Sequence, residues 1–402
     1  MSGPRVGDGG GPSGGNGEGM GGGAFAAGLV LVVNAGSSSV KARLVDEADH
    51  PLWSGQVDWH PSLDDPEAAA TTVVGDWLVP AIAPWSAGLT LVGHRVVHGG
   101  TTFTAPTALT PEVRRGLEAL VPLAPLHNGP ALAVIEALAR WRPALPQWAC
   151  FDTAFHHTLP AEAFTYAIPE AWRQQGLRRF GFHGLNHQHV SLEVARRWAA
   201  GPGPGTPRRN GSGEEPLRLI SCHLGAGSSL CAIRDGISVD TTMGFTPLEG
   251  LVMASRSGSV DPGLLLHLLR QGMGWRELDQ ELHQRSGLTG LSGGLGGSMK
   301  VLREAAAAGH GEAALAIGVF RQALLRGIGA MAASLGGVEV IALTGGIGEQ
   351  DATLRQELAT ALAWWPEVTW MVVPADEEGA IARQCRAAAA KQADDDPYRQ
   401  TL

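Results

Sequence analysis

Disulfide and zinc chemistry have little to work with in this sequence. Its 402 residues include four cysteines, Cys150, Cys222, Cys231 and Cys385, scattered and with no Cys-x-x-Cys pair. They read as reduced cytosolic thiols rather than a disulfide framework or a zinc site. Positive charge is also short: 30 lysines and arginines stand against 39 aspartates and glutamates, for a formal net charge of -9. Bulk attraction to nucleic acid or to an anionic membrane is therefore not expected, although a local basic pocket for a small anion is compatible with it. No apolar run stands out as long enough to span a bilayer. Residues 1–28 are glycine-rich and lack the hydrophobic centre of a secretory signal, so they read as a disordered, flexible tail. The expectation is a cytoplasmic protein with no membrane or nucleic-acid partner.

What is present suits a globular chain. With 44% hydrophobic and 17% charged residues, it can build two or more domains, each with a sizeable core. LVLVVN (29–34) and VKARLV (40–45) read as two strands joined by a serine-rich turn. Helical patterns follow at 110–121, 131–142, 187–199, 312–335 and 376–392. Strands are expected at 148–155, 217–224 with a second strand after its glycine turn, 338–344 and 368–374, and a loop at 201–216. Strands mixed with helices throughout argue for α/β layers. The stretch GSSSVKARLVD at 36–46 is similar to GSSLCAIRD at 227–235, each a Gly-Ser-Ser turn leading a strand that reaches Ala and then Asp. Two such hairpins, half a chain apart, suggest a duplicated domain gripping a ligand from both sides.

Three turns rich in glycine or serine follow apolar strands, at 34–39, 223–229 and 344–349. Glycine lets backbone N–H groups approach an anion, and serine adds donors without bulk, so phosphate is the expected ligand. Arg95 and His98 in GHRVVHGG, His127 in LHNGP, His183, His187 and His189 in FGFHGLNHQHV, and Arg256 in ASRSGSVDP lie in apolar or glycine-rich segments. Arginine suits phosphate oxygens; an ordinary salt bridge is the alternative for Arg95 and Arg256. His187 and His189 read as core or surface histidines at a helix start. Asp152 in CFDTAFH stands at a strand end, as active-site acids of α/β folds do, or caps a helix. Glu377 and Glu378 read locally as acids that compensate the dipole of the last helix.

Taken in order, NAGSSSVK, HRVVHGG, FDTAFH, FGFHG, HLGAGSS, DTTMGFTPLEGL, SRSGSVDP and GGIGE resemble the acetate kinase family over residues 29–390. The resemblance implies two duplicated α/β lobes of the sugar kinase, heat-shock ATPase and actin type (ribonuclease H-like), with a cleft between them. On that pattern the N-terminal lobe is 29–152, with the helix at 376–402 packing back on it, and the nucleotide-binding lobe is 153–375. The implied reaction is reversible phosphoryl transfer between ATP and a short carboxylate, with Mg²⁺ or Mn²⁺, giving an acyl phosphate and ADP. A homodimer is implied as well.

By the same resemblance, Asn34 and Glu377 stand at the metal, and Lys41 near the nucleotide. Arg95 binds the carboxylate, His183 and Arg256 act on the transition state, and Asp152 is the catalytic acid. The acyl pocket corresponds to Val97, Leu126, His127, Phe182 and Pro247, and valine at position 97 points to acetate over propionate. The nucleotide loops correspond to His223, Leu224, Gly225, Ala226 and Gly227, to Ser298, Met299 and Lys300, and to Gly346, Ile347, Gly348, Glu349 and Gln350. Ser298 and Lys300 replace an acid and an arginine usual in the family, Ala226 replaces an asparagine, and Gly129 is added. These departures leave the donor open between ATP, another nucleotide and pyrophosphate.

Overall fold

A computed structural model describes residues 28–36, 38–61, 65–200, 216–365 and 367–395. The glycine-rich tail, Ser37, most of the 201–216 loop and the end of the 376–402 segment lie outside the described residues. The chain folds around two sheets. The first contains β1 (Leu29–Ala35), β2 (Ser39–Val45), β3 (Pro51–Asp58), β4 (Leu89–Val96), the two-residue β5 (Thr107–Ala108) and β6 (Gln147–Phe151). The second contains β7 (Arg218–Leu224), β8 (Ser228–Arg234), β9 (Ile237–Thr241), β10 (Val340–Thr344) and β11 (Thr369–Val372).

Their orders, β3-β2-β1-β4-β6-β5 and β11-β10-β7-β8-β9, are the same pattern once β5 is set aside. In each, two hairpins place three antiparallel strands side by side, and two further strands join the first in parallel. The Gly-Ser-Ser similarity in the sequence thus falls on the β1–β2 and β7–β8 turns, at matching places in matching sheets. The central strands β1 and β7 are almost wholly buried, which is why they read as continuous apolar runs rather than alternating ones. β3 is an edge strand containing Pro51 and Gly55. Those two residues hide it from a strand search in the sequence.

The helices that carry the cores and the site are α1 (Pro125–Trp141), α2 (Gly184–Ala199), α3 (Pro262–Arg270), α4 (Met299–Ala307), α5 (Gly311–Leu335), α6 (Gly345–Gln350) and α7 (Glu377–Asp394). Helix α1 starts six residues before the expected 131. Pro125 stands at its first turn, where a missing N–H costs nothing, while Gly129 and Pro130 disguise that turn as loop. Helix α7 returns to the first sheet: Ile381, Ala382, Cys385 and Ala389 pack with Val30, Val32, Leu91, Trp148 and Cys150. Parallel strands need such crossover elements to cover both faces.

The expectation of no bilayer-length apolar element needs correcting. Among the described residues, α5 is long and apolar enough to cross a membrane by length and composition. It buries one face, including Ala316, Phe320, Leu324, Ile328 and Leu335, in the core of the second sheet, as a core helix of a globular domain does.

Candidate active site

The ends of the parallel strands of the first sheet converge on one guanidinium. Arg95, near the end of β4, donates to both oxygens of Asp152, Nε to Oδ1 at 3.0 Å and Nη2 to Oδ2 at 2.6 Å. Its Nη1 donates to Asn34 Oδ1 at 3.2 Å and lies 3.9 Å from Glu377 Oε2. Asn34 comes from β1, Asp152 directly follows β6, and Glu377 opens α7. The Asp152 backbone is pinned on both sides, its N–H donating to Val96 O and its carbonyl accepting from Gly184 N at 2.8 Å. Asp152 therefore spends its carboxylate on Arg95 and caps no helix. The salt-bridge alternative does hold for Arg95, yet the pair lies at the strand ends with only 17% of the Arg95 side chain exposed.

Charge is strongly coupled at this point. Burial pushes the Asp152 carboxyl above its ordinary value, against the pull of Arg95 and with a further push from Glu377. Glu377 shows the opposite balance: burial raises it, but Arg95, His223 and Lys41 bring it below its ordinary value. Lys41 stands opposite Asn34 in the β1–β2 register and is exposed.

The second sheet contributes the facing groups. At the β7–β8 turn, Gly225 N donates to Gly227 O at 3.0 Å, and Ala226 O accepts from Ala254 N at 3.0 Å. A side chain on Gly227 would lie 3.1 Å from His183 Nε2 and 3.8 Å from Arg256 Nη1. The glycine thus leaves open the space where those two groups meet. His183 precedes α2 in the left-handed conformation, φ 57°, and its ring stacks on His223 at 4.2 Å. This residue makes α2 begin at Gly184 rather than 187. Burial first, then His223, Arg95, His187 and Arg256, hold His183 well below its ordinary pKa, so it is neutral at pH 7.

Arg256 gives Nη1 to Pro247 O at 3.2 Å, and no ion pair to it exists among the described residues. Burial and then Arg95 lower its pKa. The influence of Arg95 on His183 and Arg256 brings the two halves of the chain into one electrostatic neighbourhood.

Beside these groups lies an apolar wall of Val97, Phe180, Phe182, Met243 and Met253, with Phe245 against it. Leu126 and His127 come from the first turn of α1 and are half-buried, as is Pro247. Burial, then Arg256 and Arg95, bring His127 down to about 3, leaving it neutral. Asn128 ties the two segments together: its Nδ2 donates to His98 O at 2.9 Å, and its Oδ1 accepts from His98 N at 3.1 Å. Phe180, Met243, Met253 and Asn128 were not singled out from the sequence, because apolar or amide residues in irregular segments carry no periodic signal. His189, on the next turn of α2, is half-buried and bonds Pro374 O at 3.2 Å.

The remaining loops gather around the β7–β8 turn. Gly345, at φ 78°, would drive a side chain into Leu224 O at 2.7 Å, so only glycine fits. The Glu349 carboxylate accepts from Gly345 N and Ala375 N, each at 2.9 Å. Gly346 and Gln350 are exposed, Ile347 is half-buried and Gly348 is buried. Ser298 and Lys300 are exposed, but the Met299 side chain is packed in the core of the second sheet, so only its backbone can face a ligand. Arg303 of α4 pairs with Asp351, just after α6, at 3.1 Å, which holds the 298–300 and 346–350 segments side by side.

A family model described as the acetokinase family matches residues 62–369. The chain belongs to the acetokinase family. This acetokinase chain is 46% identical over 359 residues to an acetate kinase of a Synechococcus species, covering 81% of this chain and 85% of that one. It is 40% identical to an acetate kinase of Gloeobacter violaceus, over 89% of this chain and 98% of the relative. Among solved structures, it resembles an acetate kinase of Porphyromonas gingivalis with a TM-score of 0.78 and 30% identity, over 90% of this chain and 100% of that one. A propionate kinase of Francisella tularensis gives 0.79 and 29%, over 90% and 99%. The acetokinase fold of this chain is therefore the two-sheet α/β architecture of those kinases.

Proposed function

We propose that this chain is an acetate kinase, moving the γ-phosphoryl group of ATP reversibly onto acetate to give acetyl phosphate and ADP. The observation that carries the reading is the meeting of unpaired Arg256, neutral His183 and the open Gly227 turn with Arg95 and a small apolar wall. Phosphoryl transfer needs charge and donors around the equatorial oxygens, and little else from the protein. Arg256 and His183 supply these. Arg95 binds the acceptor carboxylate, and Val97, Leu126, His127, Phe182 and Pro247 enclose its methyl end. Simple carboxylic acids titrate at about 4 to 5, so acetate is already ionised at pH 7 and needs no general base. A carboxylate oxygen bonds to the γ-phosphorus as the bond to the β,γ-bridging oxygen breaks, and the electron pair leaves on ADP. Asp152, holding two nitrogens of Arg95, orients that guanidinium rather than taking a proton.

The donor set near Arg95 suits magnesium. Among the described residues no group of three acidic, histidine or cysteine side chains could hold a metal by itself. Magnesium binds through one or two carboxylates and completes its shell with water and substrate phosphate oxygens, and Glu377 with the amide oxygen of Asn34 offers that partial set. When bound it would neutralise charge on the phosphates. His223, Leu224, Gly225, Ala226, Gly227, Lys41, Ser298, Met299, Lys300, Gly346, Ile347, Gly348, Glu349 and Gln350 would line the nucleotide, Met299 through its backbone. We assign residues 29–152 with α7 to an N-terminal lobe and residues 153–375 to a nucleotide-binding lobe, the acyl pocket taking Phe182 and Pro247 from the second. Trapping acetyl phosphate as its hydroxamate, with ATP, GTP and pyrophosphate side by side, tests the reading. ATP is expected to lead, and no acetate-dependent product with any donor would refute it.

Val97 is 7% exposed within the apolar wall, which favours acetate over propionate. Val97→Ala is expected to raise the propionate-to-acetate ratio of kcat/KM about tenfold, since one methylene in such a pocket is worth roughly 10- to 200-fold. A ratio unchanged from wild type would remove Val97 from the pocket.

The chain is further assigned to the cytoplasm and to a homodimer. Helix α3 buries none of its residues, and Leu264, Leu266 and Leu269 are exposed beside Val260 and Trp275. Exposed apolar side chains gathered on one short stretch of surface are what a subunit interface would cover. Light scattering is expected to return twice the 41.9 kDa chain mass; a single-chain mass would exclude the dimer.

A further inference from the structure

Behind His183 runs a chain of buried hydrogen bonds that the proposed reaction does not use. His183 Nδ1 lies 2.9 Å from Ser229 Oγ, the same oxygen lies 2.8 Å from His187 Nε2, and His187 Nδ1 lies 2.9 Å from Ser221 Oγ. Ser221, Ser229 and His187 are each fully buried. His187 and His183 stand one helical turn apart, so both reach Ser229 on β8 from the same face of the helix start.

The proton positions along this chain are not free. Burial first, then neighbouring histidines, keep both imidazoles neutral, and a neutral imidazole has one N–H and one lone pair. The Ser221 hydroxyl has no hydrogen-bond partner besides His187 Nδ1 among the described residues. A buried hydroxyl proton left without an acceptor is costly, so Ser221 donates to His187 Nδ1. His187 then carries its proton on Nε2 and donates to Ser229. Ser229 in turn donates to His183 Nδ1. The opposite polarity would strand the Ser221 proton.

We infer that Ser221, His187 and Ser229 form a relay of positioning residues that fixes His183 as the Nε2–H tautomer, turning a donor rather than a lone pair toward the space beside Gly227 and Arg256. The inference rests on the reading of His183 as a donor to the transferring phosphoryl group, because a lone pair there would repel it. His187, which the sequence reads as an ordinary core or surface histidine, thereby acquires a part in the site without touching substrate.

The test is nitrogen-15 NMR of histidine-labelled full-length protein, joined to kinetics. Wild type is expected to show the Nε2–H tautomer at His183, and Ser229→Ala and Ser221→Ala to show a mixture. Ser229→Ala is expected to lower kcat about tenfold, a single hydrogen bond's worth of bias, with KM for acetate and ATP unchanged. Ser229→Thr, which keeps the hydroxyl, restores kcat. In a His183→Ala background, Ser229→Ala has no further effect. An Nδ1–H tautomer in wild type, or a loss equally large without His183, overturns the relay. Should Ser229→Ala not fold, Ser221→Ala gives the same spectroscopic readout. Full activity in His183→Ala with the expected tautomer in wild type would refute the role of His183 while supporting the relay.

Discussion

Replacing Arg256 by alanine is expected to lower kcat about 10³-fold while leaving the thermal midpoint of unfolding unchanged or slightly raised. Removing one preorganised donor from an oxyanion site costs about 10²- to 10³-fold, and an arginine facing a transferring phosphoryl group about 10³- to 10⁵-fold. Stability should not fall with activity, because Arg256 satisfies no buried carboxylate. Its partners are the Pro247 carbonyl and, more weakly, the Met253 sulfur, and burial and Arg95 both work against its charge. Its removal takes a disfavoured cation out of the site. Steady-state kinetics with acetate and ATP, beside a melting curve, checks both halves. Parallel loss of activity and of several degrees in Tm would mean that Arg256 is structural.

Arg95→Leu is the opposite case, in which stability and activity should fall together. Asp152 is 1% exposed and both of its oxygens bond Arg95. Removing one member of a buried pair leaves an uncompensated charge and costs about 3 to 5 kcal/mol. The sign of the pH dependence follows. Without Arg95, burial raises the folded-state pKa of Asp152 further above its unfolded value. Stability is then fully present below the unfolded carboxyl pKa, near 4, and is lost as pH rises through the folded one. The deficit in Tm against wild type should therefore be large at pH 7 and shrink as pH falls toward 4. Arg95→Leu combined with Asp152→Asn should recover most of the Tm and none of the activity. A deficit independent of pH, or no rescue by the second change, would count against the pair as described.

How much of this was legible in the sequence depends on the range over which each signal acts. The serine turns and the duplicated hairpin are local patterns. They were readable because a strand followed by Gly-Ser-Ser has few structural meanings, and the two sheets repeat one strand order around them. Arg95 and Asp152 could each be singled out, but their two-pronged pairing joins the ends of β4 and β6 across 57 residues, which no local spacing encodes. Glu377 read as a helix-dipole acid. In the fold the preceding Asp376 caps the helix through Gly379 N at 3.2 Å, leaving Glu377 to face Arg95. The start of α1 was hidden by Gly129 and Pro130. The Ser221–His187–Ser229 chain was hidden because Ser221 looks like any strand serine, Ser229 reads as part of a phosphate turn, and no local spacing joins either of them to His187.

The central claim is that an oxygen of the acceptor carboxylate becomes bonded to the phosphorus that ATP carries at its γ position. The sharpest measurement is phosphorus-31 NMR of the reaction of ¹⁸O-labelled acetate with unlabelled ATP. The account predicts acetyl phosphate carrying ¹⁸O in the bridge to phosphorus, with ADP and free phosphate unlabelled. Label appearing in AMP, or no acetate-dependent conversion of ATP, would contradict it.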